Sequence, residues 1–435
     1  MGPKLAWRPA RFCVRRPARR SSRDQRAPAA RLVTRLGSDP MSLTRTLGAL
    51  ALVSGLIAGC SSSSDKPAAS STPSQTKSTA SSSKPMDAPA PTAPPCDPHA
   101  LLSTLTLRQK LAQLLMVGVK DAADARAAVT EQQVGGIFIG SWTDLSMLSD
   151  GSIPALQAAS GALPLAVSID EEGGRVSRLK KLIGPQESAR VLAATKTPAE
   201  VQAIAKDRGQ QMKDKFGITV DFAPDADVTE EPDDEVIGDR SFGSDPQKVT
   251  EYAGAYAAGL REAGLVPVLK HFPGHGHGSG DSHTGGVKTP PLEALKDNDL
   301  VPYRTLTTQE PVAVMVGHLQ VPGLTLGDDP ASLSKPAYDL LRSGQYGGPP
   351  FDGVVFTDDL TGMAAITQHF GVADAALKAL QAGADVALWI TTDGIPDVLD
   401  KLEAAAKSGQ LDQAQIDKSV LRVAGMKGPG AKCVK

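Results

Sequence analysis

The chain has 435 residues, with 46 Lys and Arg against 48 Asp and Glu and a formal net charge of −2. Lys4 and ten arginines against Asp24 and Asp39 give the first 40 residues a net +9, so the remainder carries −11. That balance argues against a nucleic-acid partner, whose phosphates call for a basic surface.

Residues 1–40 are rich in Arg, Ala and Pro and show no apolar periodicity, so they are not expected to fold alone. Met41 opens a different pattern, with Arg45 as a positive flank, an apolar run from Leu47 to Ile57 and the ending Leu56-Ile57-Ala58-Gly59-Cys60. This resembles a bacterial lipoprotein signal, in which the Cys60 thiol accepts the lipid. The run is too short to span a bilayer as a mature helix. On this pattern Met41 is the start, residues 41–60 are the signal, and residues 1–40 are an upstream extension, with a long basic leader as the alternative. From Ser61 to Pro95 the chain is almost all Ser, Ala, Pro, Thr and Lys, the composition of a flexible tether. A folded domain over 96–435 is then expected on the outer face of the cytoplasmic membrane, held by a lipid anchor only. Cys96 and Cys433 flank that domain and can close a disulfide if the two ends meet in space, two free thiols being the alternative.

Within the domain, short β-branched or apolar runs recur between Gly, Pro or Asp: Leu114–Gly118, Val134–Gly140, Leu163–Asp170, Ile218–Val228, Leu265–Gly274, Val312–Leu319, Gly353–Leu360 and Ala384–Thr391. Between several of them, Pro198–Phe216, Pro246–Ala263 and Gly371–Ala382 carry apolar residues at helical spacing. Such alternation predicts parallel strands joined by crossover helices. Eight units over about 335 residues suit an α/β chain folded as a (β/α)8 TIM-type barrel, with a doubly wound open sheet as the rival. Asp170, Asp225, Lys270, His271, His318 and Asp358 fall at or just past strand ends, where a barrel would gather all of them into one site.

Residues 270–283 hold four of the seven histidines, His271, His275, His277 and His283, interleaved with glycines. Glycine offers nothing to pack against, so these histidines are not core filler but belong to a loop. Asp281 stands two residues before His283, close enough to hold one imidazole nitrogen and fix the tautomer of the other, which makes a proton-transfer pair. Gly353-Val354-Val355-Phe356-Thr357-Asp358-Asp359-Leu360 ends an apolar strand in paired acids. One of them is a candidate nucleophile for retaining glycoside hydrolysis, with the His–Asp pair as acid and base. The other use of such acids is to cap a following turn, which is the expectation for Asp359.

The string Lys270-His271-Phe272-Pro273-Gly274-His275-Gly276, four residues, then Asp281-Ser282-His283 is similar to the signature of family 3 glycoside hydrolases of the β-N-acetylhexosaminidase type. Further matches follow the same order: Asp170-Glu171-Glu172-Gly173-Gly174-Arg175-Val176-Ser177-Arg178, Phe222-Ala223-Pro224-Asp225, Gly238-Asp239-Arg240-Ser241-Phe242-Gly243, Pro330-Ala331-Ser332 and Thr357-Asp358-Asp359-Leu360. The resemblance covers roughly residues 100–425. It implies Asp358 as the nucleophile, His283 oriented by Asp281 as general acid/base, and Asp170, Arg178, Arg240, Lys270 and His271 as the binding set for N-acetylglucosamine. It implies neither metal nor cofactor, and cell-wall amino-sugar oligosaccharides or muropeptides as partners. The implied activity is exo-acting release of N-acetylglucosamine from peptidoglycan-derived fragments through a glycosyl-enzyme intermediate.

Glu171 departs from the pattern, since the family often has Gln there; its charge beside Asp170 is expected to raise a nearby pKa or weaken binding of anionic sugars. The absence of a second domain after the barrel favours the single-domain branch. Surface ion pairing is the alternative use of Arg178, Arg240 and Lys270. His275 is expected to brace the strand-to-loop turn, whereas His277 has no assigned role. Three rival activities stay open: a metal-dependent hydrolase, disfavoured by the spacing and by Lys270 beside His271; a phosphorylase on the same site; and a non-catalytic sugar-binding lipoprotein.

Overall fold

Every apolar run singled out above supplies one strand of a closed barrel. The computed structural model describes residues 98–428. The expectations for Cys60, Cys96 and Cys433, and for the leader and tether segments, lie outside those residues. The strands are β1 (Leu115–Gly118), β2 (Gly136–Ile139), β3 (Ala166–Ile169), β4 (Val220–Asp221), β5 (Val266–Phe272), β6 (Ala313–Val316), β7 (Val355–Thr357) and β8 (Ala387–Trp389). All eight pair in parallel in the order β7-β6-β5-β4-β3-β2-β1-β8. A parallel bridge from Phe356 to Val386 joins β7 to the segment entering β8 and closes the ring. That closure excludes the open sheet, which keeps two unpaired edges.

The ladders are shorter than the apolar runs that signal them. Ile218–Val228 pairs as a strand only at Val220–Asp221. Beyond it, the Phe222 N–H donates to the Ile169 carbonyl and the Ala226 N–H to the Lys270 carbonyl, so the chain passes over the barrel rim with its backbone still satisfied.

Helices cover the outside. In chain order these include α1 (Pro98–Thr104) and α2 (Leu107–Ala112) before the barrel, then α3 (Ala122–Thr130), α4 (Ser152–Ala159), α5 (Pro198–Phe216), α6 (Pro246–Glu262), α7 (Val301–Leu306), α8 (Lys335–Ser343), α9 (Val372–Ala382), α10 (Ile395–Lys407) and α11 (Gln413–Met426). Local chemistry fixes their ends. Thr197 and Glu200 form a reciprocal capping box ahead of α5, Pro198 occupies its first turn, and Gly217 ends it in the left-handed conformation. Asp245 accepts from the Gln247 N–H at the start of α6.

Inside the barrel, Phe222 contacts both Phe138 and Phe356, with ring centroids 5.6 Å and 5.4 Å apart. These rings fill the interior and give the polar residues at the strand ends a solid floor. At the opposite face, the C-terminal part of α11 lies against the entries of β5, β6 and β7, where Leu421, Gly425 and Met426 share a groove with Val266, Val312 and Val354. Leu101 of α1 packs there on Ala424, together with Leu163 ahead of β3. Among the described residues, no helix is long and apolar enough to cross a membrane.

Candidate active site

The ends of β3 and β5 set a lysine between two acids. Lys270 Nζ lies 2.8 Å from Asp170 Oδ1 and 2.6 Å from Glu172 Oε1, with only 3% of the lysine side chain exposed. Arg178 donates to the other oxygen of Asp170 at 3.2 Å. Arg240 grips Glu172 with two bonds of 2.9 Å, from Nε and from Nη2. Burial would raise the Glu172 carboxyl, but the facing Arg240 and Lys270 outweigh it and hold it far below the usual carboxylate range. Burial likewise works against charge on Lys270, and Asp170 and Glu172 reverse the sign, so its ammonium is held above the usual lysine range. These cations are not surface ion pairs. They form a fixed, charged lattice along the cavity wall, with the donor and acceptor types that suit hydroxyl groups.

Glu171 requires a correction. It is fully buried and turned away from the cavity, with Oε1 bonded to Ser177 Oγ at 2.6 Å and Arg208 Nη2 at 2.5 Å, and Oε2 to the N–H groups of Arg178 and Leu179 at 2.7 Å and 2.9 Å. Arg208 of α5 balances its charge, and the carboxylate ties the loop after β3 to that helix. It therefore does not confront an anionic sugar. Burial chiefly pushes the neighbouring Asp221 up; the Glu171 N–H works against that rise and the Glu171 charge adds to it.

His271 is held from below. Its Nδ1 lies 2.7 Å from Asp227 Oδ2, and its Nε2 faces Arg240 Nη2 at 3.4 Å. Burial first, then Arg240, pushes the imidazole down to about 4, so the ring is neutral near pH 7. With Nδ1–H donating to Asp227, Nε2 is the acceptor, directed at the guanidinium. Asp225 lies beneath, pushed up to about 8 by burial and by the neighbouring Asp227 charge. Asp225, Asp227 and His271 place three metal-capable atoms within 4.8 Å of one another. Arg240 Nη2 already stands 3.6 Å from Asp225 Oδ2, and the protein's own cation occupies the side from which a metal would be held.

The glycine-rich loop after β5 carries the proton-transfer pair. Gly276 is required there, because a side chain would come within 2.0 Å of the Val228 carbonyl oxygen. His275 braces the turn through its backbone, its N–H donating to Asp227 Oδ1 at 2.6 Å. His277 receives a function the sequence did not suggest: Nδ1 lies 2.9 Å from Asp299 Oδ1 and Nε2 lies 3.3 Å from Glu230 Oε2. The hydrogen bond to Asp299, then the charges of Asp299 and Glu230, raise it to about 9 against partial burial, so a cation pins the near arm of the loop. On the far arm the Ala365 N–H donates to the Ser282 carbonyl at 3.1 Å, docking the loop onto the segment after β7. Next to the Ser282 anchor, His283 Nδ1 sits 2.8 Å from Asp281 Oδ1, and 61% of the His283 side chain is exposed. Burial opposes the charge on Asp281, but the His283 N–H and ring prevail and hold its carboxyl below the ordinary value. Nε2 of His283 is thereby left as the nitrogen that exchanges a proton.

Asp358 follows β7 at the base of the cavity and is 7% exposed. Burial would raise it; His318, His271, the Asp359 N–H and Lys270 together lower it below its ordinary value. It is thus an ionised carboxylate with one oxygen, Oδ1, held by the Asp359 N–H at 2.9 Å. Asp359 caps the next turn, as expected, accepting from the Thr361 and Gly362 N–H groups at 2.8 Å and 2.7 Å. His318 does not reach the cavity: its ring spans Ser332 Oγ and the Asp359 carbonyl oxygen, both at 2.6 Å, and supports the acid pair from behind. Asp225 also stays beneath, so the single site expected from six strand-end residues holds four of them, Asp170, Lys270, His271 and Asp358, with two in support.

One cavity of about 390 Å³ is lined by Asp358, His283, Asp170, Arg178, Arg240, Lys270 and His271, and Asp281 backs His283 from outside it. Glu172 and Asp227 were missed by the sequence reading. Each stands two residues beyond an acid already singled out, and in extended chain that spacing returns a side chain to the same face.

Residues 106–426 match the Glycosyl hydrolase family 3 N terminal domain. The chain belongs to glycosyl hydrolase family 3. This family 3 enzyme is a glycoside hydrolase, and it is 60% identical over 396 residues, covering 90% of its own length and all of the relative, to Beta-hexosaminidase LpqI of Mycobacterium tuberculosis. The solved M. tuberculosis LpqI structure superposes with a TM-score of 0.75 at 64% identity, covering 77% of this chain and 98% of that one. A family 3 β-N-acetylglucosaminidase from Paenibacillus sp. aligns at 34% identity and a TM-score of 0.69, over 75% of this chain and 62% of its own.

Proposed function

We propose that this family 3 hydrolase is a retaining, exo-acting β-N-acetylglucosaminidase that removes the non-reducing N-acetylglucosamine from peptidoglycan-derived fragments. The observation that carries the reading is the shared cavity, with an ionised carboxylate at its base, a His–Asp pair at its mouth and fixed hydroxyl-binding charges between them. Asp358 attacks the anomeric carbon as the glycosidic C–O bond breaks, and protonated His283 delivers its proton to the leaving oxygen. Neutral His283 then takes a proton from water, whose oxygen displaces Asp358 and restores the starting configuration. Asp281 stays ionised throughout and holds the ring through Nδ1, so that Nε2 meets the leaving oxygen and then the water. The names of the relatives, beta-hexosaminidase and β-N-acetylglucosaminidase, support the same class of substrate.

The test is product analysis on purified peptidoglycan fragments, with the anomer of the first product read by NMR. Release of N-acetylglucosamine initially as the β anomer is expected; an α anomer, or no release, overturns the reading. A sugar 1-phosphate formed only when phosphate is added would replace hydrolysis by phosphorolysis. Display outside the cell on a lipid at Cys60 belongs to the same proposal, and the mass of the peptide beginning at Cys60 tests it.

A further inference from the structure

Four large apolar side chains among the described residues are exposed, Trp142, Leu182, Val191 and Leu326, and only Trp142 lines the catalytic cavity. It follows β2 in a turn that is firmly held. The Gly140 N–H donates to Thr143 Oγ1 at 3.0 Å, that hydroxyl donates to the Val119 carbonyl at 2.7 Å, and the Asp144 N–H donates to the Lys120 carbonyl at 2.8 Å. The indole is backed by Phe138, edge-on at 5.9 Å and 63°, and rests on the bare Cα of Gly140, where an added Cβ would come within 2.3 Å of a ring carbon. It is therefore a rigid ring braced on one side and 42% exposed.

Depth places it relative to the chemistry. Asp358 and Lys270, at 7% and 2% exposure, mark the level of the sugar whose anomeric carbon reacts. His283, 61% exposed at its side chain, marks the level of the leaving oxygen. Trp142 is at the outer level. In the ring of eight strands β2 stands opposite β6, and the loop carrying His283 leaves β5 and docks beyond β7, passing the β6 side. Indole and His283 thus enter the one cavity from separate sectors of the ring. A pyranose presents C–H groups on its flat face, and a braced aromatic ring at a pocket binds such a face while the hydroxyl edges stay in water.

We infer that Trp142 is the platform for the leaving-group saccharide, a subsite for the second ring of the substrate; this rests on the glycosidase reading above. The test compares N-acetylglucosaminyl fluoride, whose leaving group has no ring, with the β-1,4-linked disaccharide of N-acetylglucosamine, using full-length wild type, Trp142→Ala, Trp142→Leu and Trp142→Phe. Both Trp142→Ala and Trp142→Leu should lower kcat/KM on the disaccharide by about tenfold and leave the fluoride within about twofold, with Trp142→Phe recovering most of the loss. The ratio of the two substrates within one variant is independent of how much of it folds. Equal losses on both substrates, or no loss on the disaccharide, overturn the inference. Failure of the wild type to hydrolyse either substrate would instead remove the glycosidase reading beneath it.

Discussion

Replacing Glu171 by Gln restores the residue common in the family and, in this chain, should damage stability while sparing catalysis. The carboxylate accepts from Ser177 and Arg208 on one oxygen and from two backbone N–H groups on the other. An amide keeps the shape but turns its NH2 toward one of those donor pairs and removes the counter-charge of Arg208, whose side chain is only 6% exposed. Buried donors left without acceptors cost about 1–3 kcal/mol each. Breaking one partner of a buried ion pair costs about 3–5 kcal/mol. Because the two losses describe the same contacts, a total of about 3–5 kcal/mol is expected. At about 2–4 °C per kcal/mol for a domain somewhat smaller than this one, the midpoint of thermal unfolding should fall by roughly 6–20 °C. Calorimetry gives the midpoint, and kcat/KM on an aryl N-acetylglucosaminide should stay within about threefold when assayed well below it. Adding Arg208→Met should return part of the lost stability, since neither charge is then stranded. An unchanged midpoint with collapsed activity would refute the assignment and return Glu171 to the sugar site.

Asp358→Ala should abolish turnover on every substrate, and near-normal kcat in that variant would eliminate the nucleophile. His283→Ala should slow substrates with poor leaving groups most and an activated glycosyl fluoride least in the first step; an equal loss on both would count against its acid role. His277 has a folded pKa raised to about 9 from an ordinary value of 6.5, so its contribution is complete below about pH 6.5 and is lost as pH rises through about 9. The stability difference between wild type and His277→Gln should therefore be at full size near pH 6 and shrink as pH rises through about 9 by melting scans, and a gap that widens over that range would contradict the ion pairs. Activity should survive exhaustive chelation, and loss reversed by added zinc would restore the metal-dependent alternative, with Asp225, Asp227 and His271 as the ligands to test.

The barrel was legible because its signals are local. Each strand is a short apolar run closed by Gly, Pro or Asp, and Pro198–Phe216 carries its own start and stop. The loop carrying His277 and His283 was legible because histidine among glycines lacks a packing explanation, whereas His271 lies within β5 and His275, like it, is buried. What escaped is long-range pairing. Arg208 balances Glu171 from 37 positions away, and nothing in a helix of mixed polarity marks that arginine as buried. His318 carries a strand-end position yet serves Asp359 rather than the cavity, since its neighbour Ser332 arrives from a distant loop. The over-long run Ile218–Val228 shows the same limit: apolar sequence reports burial, and burial at the rim is met by crossing chain as well as by strand.

The face formed by α11 and α1 has a practical consequence. The first described residues sit beside Leu163 and Ala424 at the strand entries, on the side of the barrel remote from the mouth. A support coupled at Pro98 itself, the first described residue, would lie on the side away from the opening. Immobilisation at that end should leave access to soluble fragments intact, whereas attachment through the loops after β5 or β7 would place the support across the opening.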